Sequence, residues 1–535
     1  MYPSVSGGIT RLTWSPGYNA LRASRNLTVL NNGLYIKSLN GVAYNNFVSM
    51  RDVPFLRQLS TILDRYIHGQ KFRKSVDETL ESYYHAKRDP LDLKKTTLSS
   101  SERIELHCVW VSEVYTPSNM DSLTKSLKRL GWDKPSQDLV NRGKNLLAQI
   151  EQSRSVGGRS GWINDAILLP PGNDKFPLGD KHFVILPEGV NYCRLSVRNI
   201  TPSITIFTVQ FVLMDEYAES LNPPFAKRYK TKVEYFPSRW KTSNASFTSI
   251  VDQKNVELDK RRRDIHDSMY AWFRKNIPGH YALIGDLNPT VDFITSKIYT
   301  RNEKERPPRP DCIEDVLFGG GSEIWVCNKD KNLELRLPWL GDDLQTMTLF
   351  GNYNSLINDT KLYPGSGRER LTAKLDDVFE PTIGVWSTHR LLSDYEEGLA
   401  KIRDKTGLQS KLPWKVSKDI NYIRRRYLAL SRDTKAVCND VAALVATSRH
   451  YAKDTLDFSP FTRRKNKLAI SLIENLRTQD EERVLRLQKL EKQVSGIVTT
   501  SSELAAAIAN IQLQYYVVAL TIIVILLTAL LLFKK

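Results

Sequence analysis

The chain has 535 residues, 41% hydrophobic and 25% charged, with a net charge of +18. That is ordinary globular composition, long enough for two to four domains at roughly 100–200 residues each, and it excludes a mainly disordered or collagen-like chain. The five cysteines (Cys108, Cys193, Cys312, Cys327 and Cys438) are few and scattered, which excludes a disulfide framework, while the basic balance favours an anionic partner, either nucleic acid or an acidic lipid surface.

The first fifty residues alternate short apolar pieces with Gly and Asn turns, so Leu34, Ile36, Leu39 and Val42 read as short strands. The start, Met-Tyr-Pro-Ser-Val-Ser-Gly-Gly, lacks a basic segment followed by an apolar one and does not read as a signal peptide. Pro54 opens a helix with Phe55, Leu59, Ile62 and Tyr66 on one face, and a second follows with Val76, Leu80 and Tyr83. Arg103 to Tyr115 alternates as a strand, with Ile104, Leu106, Cys108 and Trp110 expected on one face and Glu105, His107 and Glu113 on the other. A helix follows with Leu123, Leu127 and Leu130 as its stripe and Gly131 as its stop. A further helix spans roughly Gln137 to Glu151, and Val156 to Gly161 reads as a boundary. The first domain is therefore expected at 1–155 and a second at 156–410.

In the second region Tyr192 to Asn199 and Ile204 to Met214 read as a hairpin. A long helix from about Asp252 to Ile277 is stopped by Pro278-Gly279. His266 falls one turn after Arg262, beside Asp264 and Asp267, which suggests a charged exposed face. Residues 301–310 have linker composition. Short strands are expected at Ile324 to Val326, Leu333 to Leu337 and Thr346 to Phe350, and a helix near Leu391 to Arg403 closes the region.

From Trp414 the pattern becomes helical, and residues 415–513 read as a stalk or helical hairpin bent near Pro460. Leu487, Leu490, Val494, Ile497, Leu504, Ile508 and Ile511 form an apolar seam with 3-4 spacing, interrupted at Ser501. Either this seam pairs with another copy as a coiled coil, giving a homo-oligomer, or Ile420 to Leu444 folds back over it. Tyr515 to Phe533 then carries no charge and no proline, enough for a bilayer core of roughly 30 Å. Tyr515 and Tyr516 suit one interface, and Phe533, Lys534 and Lys535 end the anchor at the other.

Motifs with chemistry are scarce. The sequence has no P-loop, no Cys-x-x-Cys, no His-Glu-x-x-His and no Gly-x-Ser-x-Gly, and no cofactor or metal is expected. Glu105, His107 and Glu113 are the weak catalytic candidates, since a carboxylate beside a histidine can tune proton transfer. Basic clusters at Arg424, Arg425 and Arg426 and at Arg463, Arg464, Lys465 and Lys467 are candidates for anionic headgroups. In a chain fixed to a membrane, lipid is the simpler anionic partner and nucleic acid is not favoured. The expected fold is thus an α+β cytoplasmic region of two domains, a helical stalk and one C-terminal transmembrane helix. The expected function is a non-enzymatic interaction, sensor or scaffold protein at the cytoplasmic membrane face, with an unknown protein partner. The alternatives are a membrane-tethered enzyme with a non-standard site and a subunit of an oligomeric pore.

Overall fold

The computed structural model describes residues 84–134, 145–156, 161–172, 181–236, 244–299, 312–319, 323–337, 346–358, 360, 363, 365–406, 413–461 and 470–533. The expected strands and helices before residue 84, the start of the helix expected from Gln137, the linker at 301–310, the cluster Arg463 to Lys467, and Lys534 and Lys535 lie outside them. The described strands are β1 (Ile104–Tyr115), β2 (Gly161–Leu169), β3 (Lys181–Phe183), β4 (Val190–Thr201), β5 (Ile204–Leu213), β6 (Lys232–Phe236), β7 (Asn244–Thr248), β8 (Thr290–Ser296), β9 (Glu323–Cys327), β10 (Leu333–Leu337), β11 (Thr346–Asn352) and β12 (Phe458–Pro460). The principal helices are α1 (Asp89–Thr96), α2 (Met120–Leu130), α3 (Leu146–Val156), α4 (Ile250–Asn276), α5 (His280–Ile284), α6 (Gly367–Thr406), α7 (Pro413–Val445) and α8 (Leu472–Phe533).

By contacts the chain divides into two compact units, Met1–Thr96 with Arg228–Lys254, and Thr97–Lys227 with Asn255–Lys535. In the first unit α1 begins at a buried carboxylate: Asp89 accepts from the Thr231 hydroxyl at 2.5 Å and from its N–H at 3.1 Å. The antiparallel pair β6–β7 belongs to the same unit.

The second unit is mixed α/β. Ten strands form one sheet in the order β12-β9-β10-β11-β8-β1-β5-β4-β2-β3. All neighbours are antiparallel except β11 with β8 and β2 with β3. Residues 155 and 156, where a domain boundary is expected, end α3, and β1 lies centrally between β8 and β5. Central strands are buried on both faces, which is why β5 reads Ile-Thr-Ile-Phe-Thr-Val-Gln-Phe-Val-Leu without charge. The hairpin β4–β5 and the strands β9, β10 and β11 fall where the alternation predicts them.

Helices cover both faces. On one, Trp272 and Phe273 of α4 meet Phe211 edge-on, with ring centroids 5.7 and 6.2 Å apart. On the other, Trp110 packs on Phe379 of α6 at 5.6 Å and donates its indole N–H to Asp376 at 2.7 Å. The helix expected near Leu391 to Arg403 proves to be the last third of α6, a 40-residue helix that runs through Pro381. Proline removes a backbone donor and normally ends a helix. Here buried Phe379, Ile383 and Trp386 pack around that turn, and packing outweighs the local preference. Pro460, expected at a helical bend, instead ends β12, the edge strand beside β9. An edge tolerates a residue that cannot donate to the ladder.

The helices α7 and α8 lie beside α6. Two carboxylates fasten α7 to the sheet. Asp433 accepts from the Thr116 hydroxyl at 2.7 Å and from Ser118 N–H at 3.1 Å, just past β1. Asp440 accepts from Ser203 N–H at 2.8 Å in the β4–β5 turn.

Candidate functional site

The three weak catalytic candidates do not share a face. A β-bulge interrupts the pairing of β1 with β8 between Leu106 and Cys108, so His107 is the extra residue. From Cys108 to Tyr115 the pairing with β5 is unbroken. The bulge shifts the phase, and Glu105 and His107 join Trp110 on the α6 side while Glu113 stands on the opposite one. His107 is fully buried, stacked on Tyr353 with centroids 5.6 Å apart, and its Nε2 lies 2.7 Å from the Thr295 hydroxyl. Burial, with the Arg368 charge added, pushes its pKa down to about 3. Glu105 Oε2 lies 3.7 Å from His107 Nδ1 and 3.2 Å from Arg368. A buried imidazole with its pKa lowered this far is a weak base near neutrality.

Glu113 has a different task. Its carboxylate accepts from Tyr281 N–H at 2.8 Å, Ala282 N–H at 3.0 Å and the Asn288 amide at 3.0 Å, holding the start of α5. Burial raises its pKa to about 7 against those donors, which favour the ionised form. Near α5, Asp394 of α6 is also raised to about 7 by burial, partly countered by Arg390 at 3.4 Å. His280 Nε2 lies 3.9 Å from Asp394, and burial lowers its pKa to about 4. Glu113 was singled out on β1, but its partners come from residues 281–288, a separation that strand periodicity does not reveal.

His266 also departs from expectation. Instead of lying on a charged exposed face, it is buried with its Nε2 2.7 Å from Asp292 of β8. Arg262 reaches the same carboxylate at 2.7 Å. Burial alone would raise Asp292, but the His266 and Arg262 charges outweigh it and bring it down to about 2. The pair that shares a helical face turns inward because a buried carboxylate waits there.

The site with the clearest consequence is α8. Its inner stripe is Leu476, Asp480, Val484, Leu487, Glu491, Val494 and Val498, all at most 5% exposed. The spacing is three or four residues throughout, which keeps one stripe on α6 and α7. Two members are carboxylates. Asp480 takes His389 Nδ1 of α6 at 2.6 Å and the Tyr451 hydroxyl at 2.6 Å. Glu491 takes the Tyr427 hydroxyl at 2.7 Å, the Ser431 hydroxyl at 2.6 Å and Lys435 at 3.1 Å, all from α7. Burial works against the Glu491 charge, yet these donors hold its pKa below the usual carboxylate range. Outside this stripe Arg483 and Arg486 meet Glu396 of α6 at 3.3 and 3.1 Å. Sequence reasoning passed over Asp480 and Glu491, although their positions in phase with Leu487 and Val494 were the available signal.

After Val498 the bundle releases the helix. No residue of α8 beyond it is buried among those described, and the most apolar window reaches a mean hydropathy of 2.3 with none of it buried. Leu504 to Phe533 is an uncharged stretch continuous with the clamped half. Among the described residues the chain therefore carries one candidate membrane-spanning helix. Of the seam residues, Leu487 and Val494 are buried within the chain and Leu490 and Ile508 are half-buried, while Ile497, Leu504 and Ile511 are exposed. Tyr515 and Tyr516 are each 72% exposed, and Phe533 is the last residue of the helix.

Arg424, Arg425 and Arg426 are exposed on α7, directly before Tyr427, which bonds Glu491. From Glu491 to Tyr515 the helix climbs about 36 Å at 1.5 Å per residue. Compared with models of known protein families and with curated protein sequences, the chain matches none.

Proposed function

We propose that this chain is a single-pass membrane protein, anchored by α8, whose bulk faces the cytoplasm and acts there as a non-enzymatic interaction, sensor or scaffold protein. The observation that carries this reading is the continuity of α8. A single 62-residue helix is locked into the folded unit by two buried carboxylates and leaves it as a bare apolar rod. A joint of that kind couples the orientation of the folded unit to the bilayer, as a sensor or scaffold requires. His107 supports a non-catalytic reading of β1, being buried, neutral and held by aromatic rings. The cytoplasmic side is supported by five cysteines that form no disulfide, four of them buried, as in proteins of reducing compartments. The absence of Lys and Arg from Val494 to Gln514 pulls the other way under the positive-inside rule, so orientation is the point to test. Protease added to sealed cells should leave the chain intact, and protease added to lysed cells should digest it. Digestion in sealed cells would reverse the orientation.

A further inference from the structure

The bare half of α8 has a second stripe that the fold leaves uncovered. From Ile497 onward the 3-4 spacing continues through Ser501, Leu504, Ile508, Ile511 and Tyr515, and then in phase through Val518, Ile522 and Ile525 of the span. Leu504 and Ile511 are 58% and 50% exposed, and Val518, Ile522 and Ile525 are all more than half exposed.

We propose that this stripe is the contact for a second copy of the same chain, packed parallel and in register. The inference rests on α8 spanning the membrane as read above. Three observations choose the occupant. The stripe crosses from water into lipid without a change of phase. A soluble protein covers only its upper part and lipid only its lower part, whereas another helix with a span at the same height covers both. Its flanks carry no charge: Thr500, Ala507, Gln512 and Gln514 border it, and Glu503 lies off the seam, so identical copies meet without like-charge repulsion. The stripe is also continuous in phase with Leu487 and Val494, which α6 and α7 already cover within the chain. The seam thus divides after Val494, the inner part holding the fold and the outer part holding the partner. Anchoring fixes copies side by side and parallel, which raises their effective concentration. Within the bilayer, packing between close helices replaces the hydrophobic drive.

The test is disulfide cross-linking in native membranes of the full chain, in a background with half-buried Cys312→Ser. Single cysteines are placed on the stripe (Leu504→Cys, Ile511→Cys) and on the opposite side of the helix (Ala506→Cys, Leu513→Cys). All four positions are exposed, so oxidant access is equal. The expected result is dimer formation at least fivefold greater at 504 and 511 than at 506 and 513. Equal yields on both sides, or no dimer at any position while the chain resists extraction by carbonate, would overturn the proposal and leave the anchor standing. Extraction of the chain by carbonate would overturn the anchor and this contact together. As a second readout, Leu504→Asp with Ile511→Asp should reduce the detergent-solubilised protein to a monomer without changing its unfolding temperature, because neither side chain packs in the folded unit. An unchanged mass in that double variant would also overturn the contact.

Discussion

Replacing Asp480 by alanine is the sharpest test of how α8 is held. Asp480 is fully buried, and its two oxygens are each engaged at 2.6 Å, one by His389 and one by Tyr451. Alanine leaves both partners in the bundle interior without an acceptor. Hydrogen bonds to a charged group are worth about 1.5–3 kcal/mol each, and breaking a buried pair from one side costs roughly 3–5 kcal/mol. We expect about 3–5 kcal/mol, which lowers the unfolding temperature by on the order of 10 °C. Near-ultraviolet circular dichroism of the full chain in detergent reads this, because Tyr451 and Trp386 lie within or beside the network. His389→Ala combined with Asp480→Ala should cost less than the sum of the two, with a coupling of about 0.5–3 kcal/mol. The control is Asp404→Ala, whose side chain is 68% exposed beside Arg403 and which should cost under about 1 kcal/mol. A loss below about 1 kcal/mol for Asp480→Ala, or additive single and double effects, would refute the lock.

Titration gives a second prediction. Asp394 is raised to about 7 in the folded chain from an ordinary 3.8, so its contribution is fully present below about pH 4 and is lost as pH rises through about 7. His107 and His280, lowered to about 3 and about 4, act in the opposite sense, with stability lost as pH falls below 6.5. The signature therefore lies in a difference: Asp394→Asn should gain on the native chain from pH 5 to pH 8, by an amount on the order of a few kcal/mol. A difference that stays flat with pH in urea titrations would remove Asp394 from that role. Third, a chain ending at Glu503 should be soluble and as stable as the intact folded unit. One ending at Gln493 loses buried Val494 and Val498, each worth roughly 1.5–3 kcal/mol, and should unfold at lower temperature. Equal melting of the two truncated chains would mean that the clamp ends before Val494.

Much of the strand pattern was legible because alternation and buried apolar runs leave direct marks, as in β4, β5 and β9 to β11. The faces of β1 were not, since one extra residue at His107 inverts every side chain before it and leaves the composition unchanged. The length of α6 was hidden by Pro381, whose local penalty is overcome by packing that no local pattern contains. His266 and Arg262 read as a surface pair because their shared partner, Asp292, comes from β8. In α8 the apolar half was plain, but an apolar pattern does not count carboxylates such as Asp480 and Glu491 as part of the stripe. They belong to it because the hydroxyl, imidazole and ammonium groups that satisfy them come from other helices.

The central claim is that one unbroken helix joins the folded unit to the bilayer. Electron–electron double resonance on the full chain in lipid nanodiscs, with Cys312→Ser and spin labels at Leu485→Cys and Leu513→Cys, tests it most directly. Both positions lie on the outside of α8, 64% and 66% exposed, one within the clamped half and one just before the span. A continuous helix separates them by about 42 Å at 1.5 Å per residue. A narrow distribution at that distance is the predicted result, and a broad distribution, or one centred well below it, would contradict a rigid connection.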